Sequence, residues 1–125
     1  MSSLIPVITT EAVSMPSFSQ GIIANGFVFT SGQVGLDPQT GRRPEDFEVE
    51  VDQVIANLEA ILLAAGSGLH CVVKTLCVLS DMTLLPQFNV AYDRRFLDPR
   101  PARSTIAASL AADFRVEIEC VATIA

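Results

Sequence analysis

The sequence has no tryptophan and only one tyrosine, one lysine and one histidine. Of these shortages, that of histidine excludes the most kinds of catalytic and metal-binding site. A single histidine, His70, excludes metal sites built from several histidines and leaves one candidate base for a serine or cysteine nucleophile. His70 follows the glycine-containing segment 66–69, between a predicted helix and a predicted strand, so we interpret it as a solvated loop residue.

Cysteines and targeting segments are equally scarce. Cys71, Cys77 and Cys120 form no C-x-x-C pair, and an odd number of thiols suits a reducing compartment better than a disulfide framework. No basic region followed by an apolar stretch stands near residue 1, and no apolar run reaches membrane-spanning length. We therefore expect a cytoplasmic protein without a membrane segment.

The charges are few and unevenly placed. The formal net charge of −6 argues against broad electrostatic binding to a polyphosphate backbone. Acidic residues cluster in the segment 45–59, whereas most of the arginines lie after residue 93, and we interpret the two groups as solvated faces. A local patch of Arg94, Arg95, Arg100 and Arg103 leaves RNA binding as an alternative.

Length and apolar content together predict an oligomer. At 125 residues the chain is long enough for one domain, which we place at 1–125. Half of its residues are hydrophobic, yet a domain of this size buries only about two-thirds of the surface that its unfolded chain exposes. Apolar surface that remains in one contiguous patch is typical of a subunit interface.

Local patterns predict the elements of the first half of the chain. Residues 5–9 are predicted as a strand, and Asn25-Gly26 between two apolar runs predicts a β-hairpin with a type I′ turn. Pro44 and nearby acids suit the start of a helix, and Gly66 suits its end. That helix has one apolar stripe: Phe47, Val51, Val54, Ile55, Leu58, Ile61, Leu62 and Ala65.

The second half continues with a strand at 72–79, apolar enough to be covered on both faces. Asp81 or Thr83 is predicted to cap a second helix. Strands are predicted at 102–110, after a stiff proline segment, and at 114–124, where apolar side chains alternate with Arg115, Glu117 and Glu119. The inner side of the second helix is predicted to carry Leu84, Leu85, Phe88, Ala91, Tyr92 and Phe96.

The resulting order is one strand followed by ββαβαββ. It predicts an α+β fold in which a single mixed sheet carries two helices on one face. The opposite face holds Glu117 and Glu119 beside apolar residues, a mixture too apolar for water and too charged for a simple core. We therefore expect this face to pack against another subunit and to leave a polar cleft at the seam.

Arg103 and Glu117 are the leading site residues. Arg103 follows a rigid proline segment, and its planar guanidinium matches a carboxylate with two parallel hydrogen bonds. A plain salt bridge from Arg103 to Glu117 or Glu119 is the alternative. Partial burial of Glu117 would raise its pKa and suit it to moving a proton from water. Ser31 and Asn89 are each read either as ligand-binding residues or as ordinary structural ones.

The same residues carry a resemblance to a known family. The chain resembles the RidA/YjgF family of imine deaminases, also called the L-PSP or translation-inhibitor family. The motifs that carry the resemblance run along nearly the whole chain: Ser19-Gln20-Gly21, Thr30-Ser31-Gly32-Gln33, Asp37-Pro38, Thr40-Gly41, Asn57-Leu58, Ala64-Ala65-Gly66, Val73-Lys74-Thr75, Asp81-Met82, Asn89 with Tyr92, Pro101-Ala102-Arg103-Ser104 and Val116-Glu117-Ile118-Glu119.

The resemblance implies a chorismate-mutase-like fold in a homotrimer, whose sheets line a central barrel and whose sites lie between subunits, with no metal and no organic cofactor. Arg103 would bind the carboxylate of a 2-imino acid such as 2-iminopropanoate, formed from 2-aminoacrylate. Glu117 would orient or activate the attacking water, and hydrolysis would give a 2-oxo acid and ammonia. Ser31, Asn89 and the backbone around Thr105 would line the pocket.

Two residues depart from the family pattern. Phe18 stands where relatives usually have a tyrosine, and Thr105 stands where many have a cysteine. The substrate-binding set predicted for this chain is therefore Phe18, Ser31, Asn89 and Thr105, with Arg103 and Glu117 as the catalytic pair. Two other functions remain open: an endoribonuclease, as some relatives are labelled, and a carboxylate-binding regulator without catalysis.

Overall fold

A computed structural model describes residues 3–125 as a seven-stranded mixed sheet with two helices packed on one face, which confirms the predicted α+β class. Short 3₁₀ turns at Leu69–Cys71 and Met82–Leu84 precede the strand that begins at Val72 and the helix that begins at Leu85. The helices and strands, in chain order, are β1 (Ile5–Val7), β2 (Gly21–Ala24), β3 (Phe27–Thr30), β4 (Gln33–Val34), α1 (Phe47–Ala64), β5 (Val72–Leu79), α2 (Leu85–Arg95), β6 (Ala102–Ala107) and β7 (Val116–Thr123).

The hairpin joining β2 and β3 turns at Asn25-Gly26, as predicted. Asn25 has φ 52° and Gly26 has φ 80°, the pair of positive values that a type I′ turn requires. Ile22 lies opposite Phe29, and Ala24 lies opposite Phe27. The two-residue turn therefore sets the register of the first hairpin.

Helix α1 begins and ends where its local chemistry predicts. The Asp46 side chain accepts a hydrogen bond from the Val49 backbone N–H at 3.1 Å, which satisfies a donor of the first turn. At the other end Gly66 has φ +80°, and the Ser67 N–H donates to the Leu62 carbonyl at 2.8 Å. All eight residues of the predicted apolar stripe are buried.

Helix α2 begins a few residues after Asp81, the residue predicted to cap it. The Asp81 carboxylate accepts from the Thr83 N–H at 2.9 Å, but this caps the 3₁₀ turn, and α2 itself begins at Leu85. Of the predicted inner residues, Leu84 and Leu85 are partly buried against the core. The others are fully or almost fully buried: Phe88, Ala91, Tyr92 and Phe96.

The strand order is β1-β2-β3-β7-β5-β6, and β4 pairs with β7. β5 is antiparallel to β7 and parallel to β6, so β6 forms an edge of the sheet. In β7 the predicted alternation holds, because Val116, Ile118, Cys120 and Ala122 are buried beneath the helices while Glu117 and Glu119 are not. We call the side of the sheet under α1 and α2 the helix face, and the other side the open face.

Several strand boundaries differ from the predictions. β1 ends at Val7 instead of Thr9, because its pairing with β2 ends at Gly21. β6 ends at Ala107 instead of residue 110, because β5, its partner in the sheet, ends at Leu79. β7 spans Val116–Thr123 instead of 114–124. β4 was not predicted, since a strand of two residues is too short to show any alternation.

The open face carries large apolar side chains that none of the residues 3–125 covers. Phe27, Phe29 and Ile106 are 39%, 46% and 48% exposed, and the open-face residues of β5 are only partly buried. The predicted cover on both faces of β5 therefore exists on the helix face alone. Among residues 3–125, no helix is both long and apolar enough to cross a membrane.

The two groups of charges do not form separate faces, although most of their members remain at least partly exposed. Arg94 pairs with Glu48 at 2.7 Å, Arg95 with Glu59 at 3.2 Å, and Arg115 with Glu50 at 2.6 Å. Each pair joins the acidic segment of α1 to an arginine of the last third of the chain. Charges that are separated in sequence thus meet when α2 and β7 pack on α1.

Candidate functional site

Arg103 lies on the helix face of the edge strand β6. In the parallel ladder it is opposite Thr75, whose side chain is fully buried beneath α2. Side chains alternate along a strand, so Arg103 and Thr105 point towards α2 while Ser104 and Ile106 point to the open face. The rigid proline segment before β6 therefore delivers the guanidinium to the surface of α2.

Three side chains of α2 contact the Arg103 guanidinium. Its Nη2 donates to the Asn89 Oδ1 at 2.9 Å. Its central carbon lies 4.9 Å from the ring centroid of Tyr92 and 5.4 Å from that of Phe88. Rings at such distances attract a cation through their negative faces.

The alternative of a salt bridge from Arg103 to Glu117 or Glu119 is wrong. Within residues 3–125 no carboxylate lies in ion-pair range of Arg103. Glu117 is opposite Val78 in the antiparallel ladder and leaves the sheet on the open face. The positive charge is thus partly buried against neutral groups, which leaves it available to an anion from outside the chain.

Glu117 belongs to a different cavity, of about 610 Å³, on the open side of the sheet. We call this the Glu117 pocket. Its walls are mostly apolar, and polar side chains complete the lining. The lining residues are Val13, Met15, Phe18, Ser31, Gly32, Gln33, Val34, Leu36, Asn57, Ala111, Phe114, Glu117 and Glu119.

The Glu117 side chain is partly buried. Burial raises its pKa above the usual glutamate value, and the charge of the neighbouring Glu119 raises it further. Gly32 leaves the space that the Glu117 carboxyl group occupies, because a Cβ on that residue would lie 2.8 Å from the Glu117 carboxyl carbon. A carboxyl group with a raised pKa exchanges protons more readily near neutral pH than an ordinary glutamate.

Replacing Glu119 with glutamine is expected to lower the pKa of Glu117, because the substitution removes the repulsion that disfavours a second negative charge. A ¹³C NMR titration of the glutamate carboxyl groups would measure this pKa directly. Glu119→Asp, which keeps the charge, is the control and is expected to retain most of the elevation. An unchanged Glu117 pKa in Glu119→Gln would leave burial as its sole cause.

The wall of the pocket beside β4 is fixed from α1. The Asn57 amide donates to the carbonyls of Val34 and Leu36 at 3.1 and 2.9 Å. About two turns earlier in α1, the fully buried Glu50 packs so closely that a Cβ on Gly35 would lie 2.6 Å from its Cγ. Both polar residues of the helix thus hold the chain where it passes Gly35.

Glu50 also holds the opposite wall. Its two carboxylate oxygens accept from the Arg115 backbone N–H at 2.9 Å and from the Arg115 Nε at 2.6 Å. Arg43 approaches the same carboxylate at 3.4 Å and pairs with Asp113 at 3.1 Å. The loop that contributes Ala111 and Phe114 to the pocket is thereby tied to the first turn of α1.

The predicted site residues fall into two groups within one chain. Arg103, Asn89 and Thr105 lie on the side of β6 and α2, and an Asn89 hydrogen bond joins the first two. The other group lines the Glu117 pocket: Phe18, Ser31 and Glu117. The Ser31 hydroxyl donates to the Ser19 carbonyl, so it has a structural bond as well as a place in the pocket wall.

Three contributors were missed as site residues. Phe88 was predicted only as a core residue of α2, and Tyr92 as a core residue and as part of a motif with Asn89, although their i, i+4 spacing around Asn89 places all three on adjoining faces of the helix. Gly32 appeared only as part of a motif. Within residues 3–125, no three histidine, cysteine or acidic side chains are grouped closely enough to share a metal ion.

Comparison with known proteins identifies relatives along nearly the whole chain. The family model described as Endoribonuclease L-PSP matches residues 9–124. Reactive Intermediate Deaminase A, chloroplastic, of Arabidopsis thaliana is 40% identical over 122 residues, which are 94% of this chain and 65% of that longer protein. The 2-iminobutanoate/2-iminopropanoate deaminase of Mus musculus is 39% identical over 127 residues, covering 98% of this chain and 94% of the mouse protein.

A solved structure supports the fold independently. The putative endoribonuclease L-PSP of Entamoeba histolytica superimposes with a TM-score of 0.92 at 40% sequence identity, covering 97% of this chain and 99% of that one. The similarity therefore extends to the whole arrangement that positions Arg103 and Glu117. From its motifs, its fold and these matches together, the chain belongs to the RidA/YjgF family, whose family model carries the description Endoribonuclease L-PSP.

Proposed function

We propose that the protein hydrolyses 2-imino acids to 2-oxo acids and ammonia at sites shared between neighbouring subunits of a homotrimer. One observation carries the proposal. The Arg103 guanidinium has no acidic partner among the described residues, whereas Glu117 lines a pocket on the other face of the sheet. Relatives named as deaminases of 2-iminobutanoate and 2-iminopropanoate support the choice of substrate.

The placement of the two groups favours an assembly. In a 2-imino acid the carboxylate is bonded directly to the imine carbon, so one bound molecule has to contact Arg103 and Glu117 at the same time. Their side chains leave opposite faces of the sheet, so the two groups of one chain are poorly placed to share a small molecule. A neighbour that covers the exposed Phe27, Phe29 and Ile106 would also bring its own Arg103 to the Glu117 pocket.

The residues supply what hydrolysis needs. The guanidinium of Arg103 binds the substrate carboxylate and fixes the orientation of the C=N bond. Glu117 accepts a proton from the attacking water as the water oxygen bonds to the carbon of the protonated imine, giving a neutral carbinolamine. Glu117 returns this proton to the nitrogen, the C–N bond breaks and ammonia leaves, and the hydroxyl proton passes to Glu117 as the C=O bond forms. One water is consumed for each imine.

The two departures from the family pattern are compatible with this chemistry. Phe18 contributes an aromatic wall without a hydroxyl, and it is 47% exposed beside the pocket. Thr105 keeps a hydroxyl where a thiol would stand, on the same side of β6 as Arg103. Neither position supplies a proton acceptor in the scheme, so Glu117 takes that role.

The decisive experiment follows 2-oxo acid formation from 2-aminoacrylate generated in situ, with and without protein. We expect the wild type to accelerate the reaction and both Arg103→Ala and Glu117→Gln to be nearly inactive. When the two variants are unfolded together and reassembled at equal ratio, about a quarter of the shared sites should contain both intact groups, because each group is drawn at random from two chains. We therefore expect the mixture to regain about a quarter of the wild-type activity.

The controls separate shared sites from sites within one chain. Each variant reassembled alone is expected to stay inactive. If mixed oligomers form but remain inactive, the two groups do not meet across subunits. Equal turnover with and without wild-type protein would reject the deaminase proposal itself.

Neither alternative function gains support from a specific contact. The basic patch required for RNA binding loses its charges to acid partners, since Arg94 pairs with Glu48, Arg95 with Glu59, and Arg100 with Asp93. A carboxylate-binding regulator would use the same Arg103 group. Binding of a 2-oxo acid without any acceleration of imine hydrolysis would favour that function.

A further inference from the structure

We infer that Phe88 and Tyr92 are positioning residues that hold the Arg103 guanidinium by its faces and so leave its N–H groups to bind a carboxylate. The inference deepens the proposed function and rests on the role of Arg103 as the carboxylate ligand. It assigns a task to two aromatic side chains that otherwise appear as core residues. We call the two rings the aromatic platform.

The platform is rigid. Phe88 and Tyr92 are 0% and 3% exposed, and their ring centroids are 5.4 Å apart. Phe96 continues the stack, with its centroid 4.5 Å from that of Tyr92. Three successive aromatic residues at i, i+4 spacing thus form one column along the inner side of α2.

Tyr92 is also fixed at its far end. Its hydroxyl is hydrogen-bonded to the Thr75 hydroxyl at 2.8 Å, and Thr75 is the residue opposite Arg103 in the β5–β6 ladder. Burial raises the pKa of Tyr92 to about 12, so the phenol stays neutral beneath the cation. Thr75 therefore lies beside Arg103 in the sheet and also anchors the Tyr92 ring that contacts the guanidinium.

The chemical nature of the support matters. A carboxylate partner would occupy the N–H fork of the guanidinium and neutralise its charge before any substrate arrived. Aromatic faces contact the flat surface of the group instead, and the hydrogen bond to Asn89 uses a single N–H of Nη2. A guanidinium that is desolvated on its face and open at its edge is prepared for a planar anion.

The test compares Phe88→Leu with Phe96→Leu. Both substitutions shorten a buried phenylalanine of the same column, but Arg103 makes its cation–π contacts, among the described residues, with Phe88 and Tyr92. Titration calorimetry with 2-oxobutanoate measures carboxylate binding without requiring turnover. We expect Phe88→Leu to raise the dissociation constant about 3- to 10-fold and Phe96→Leu to change it by less than about twofold.

Steady-state kinetics with an imino acid add a readout that simple loss of packing would not give. Phe88→Leu should raise KM by a similar factor while kcat changes little, because the carboxylate is bound equally in the ground and transition states. If the leucine variants do not fold, Phe88→Met and Phe96→Met keep more of the buried volume and allow the same comparison.

The outcomes separate this inference from the proposed function. Equal effects of Phe88→Leu and Phe96→Leu, or no effect of either, would overturn the platform even if the wild type hydrolyses imines. Platform-dependent 2-oxobutanoate binding in a protein that hydrolyses no imine would support the platform and reject the deaminase. If the wild type does not bind 2-oxobutanoate, both the role of Arg103 as a carboxylate ligand and the role of the aromatic platform are overturned.

Discussion

Glu50→Leu is expected to lower the free energy of unfolding by about 3–5 kcal/mol, the usual cost of removing one partner from a buried ion pair. The Glu50 side chain is fully buried and accepts hydrogen bonds from both the backbone and the side chain of Arg115. Without it, the Arg115 guanidinium, which also lies 5.4 Å from the Phe47 ring, and the nearby Arg43 would lose their shared acceptor. Urea denaturation at fixed protein concentration would measure the loss.

Glu48→Gln is the matched control for Glu50→Leu. Glu48 lies in the same first turn of α1 and also pairs with an arginine, but both side chains of that pair are substantially exposed, at 32% and 53%. Exposed ion pairs contribute about 1 kcal/mol or less. If the two substitutions cost the same, the buried carboxylate is not the tie between α1 and β7 that its contacts indicate.

Arg103→Ala is expected to lower kcat/KM for the imino acid by about 100-fold or more. The variant loses two charge-assisted hydrogen bonds to the substrate carboxylate, each contributing about 1.5–3 kcal/mol. Arg103→Lys should recover only part of the activity, because a lysine keeps the charge but neither lies flat on the rings of Phe88 and Tyr92 nor offers a two-pronged donor. Initial rates over a range of substrate concentrations would give both values.

Arg100→Ala provides the control for that series. Arg100 lies three residues earlier, is 43% exposed, and pairs with Asp93 at 2.9 Å, away from the aromatic rings. We expect its substitution to leave kcat/KM within about twofold of the wild type. A comparable loss in both alanine variants would point to general positive charge in place of a defined carboxylate ligand.

The parts of the fold that follow from the sequence are those governed by neighbours along the chain. Asn25-Gly26 sets its turn through its own backbone preferences, and the stripe from Phe47 to Ala65 repeats for five turns, long enough to exceed chance. β4, with only Gln33 and Val34, exists because β7 offers it a partner at Ile118 and Glu117. No local pattern announces such a pairing.

The candidate site divides in the same way. The residue types and motifs identify Arg103 and Glu117, but the faces from which they project depend on the ladders that place Arg103 opposite Thr75 and Glu117 opposite Val78. Glu50 shows the same limit. It looks like an acid favoured by the helix dipole, and only the packing of β7 on α1 reveals a partner 65 positions away.

The close approach of Gly32 to Glu117 has a consequence for redesigning the range of substrates. Because even a methyl group on Gly32 would push against the carboxyl group, this position is unsuitable for changing the shape of the cavity without moving Glu117, the proposed proton acceptor. Phe18 and Ala111 line the same cavity, and both have exposed side chains that tolerate a change of size. Variation in which imines are accepted is therefore best introduced there, with Gly32 left unchanged.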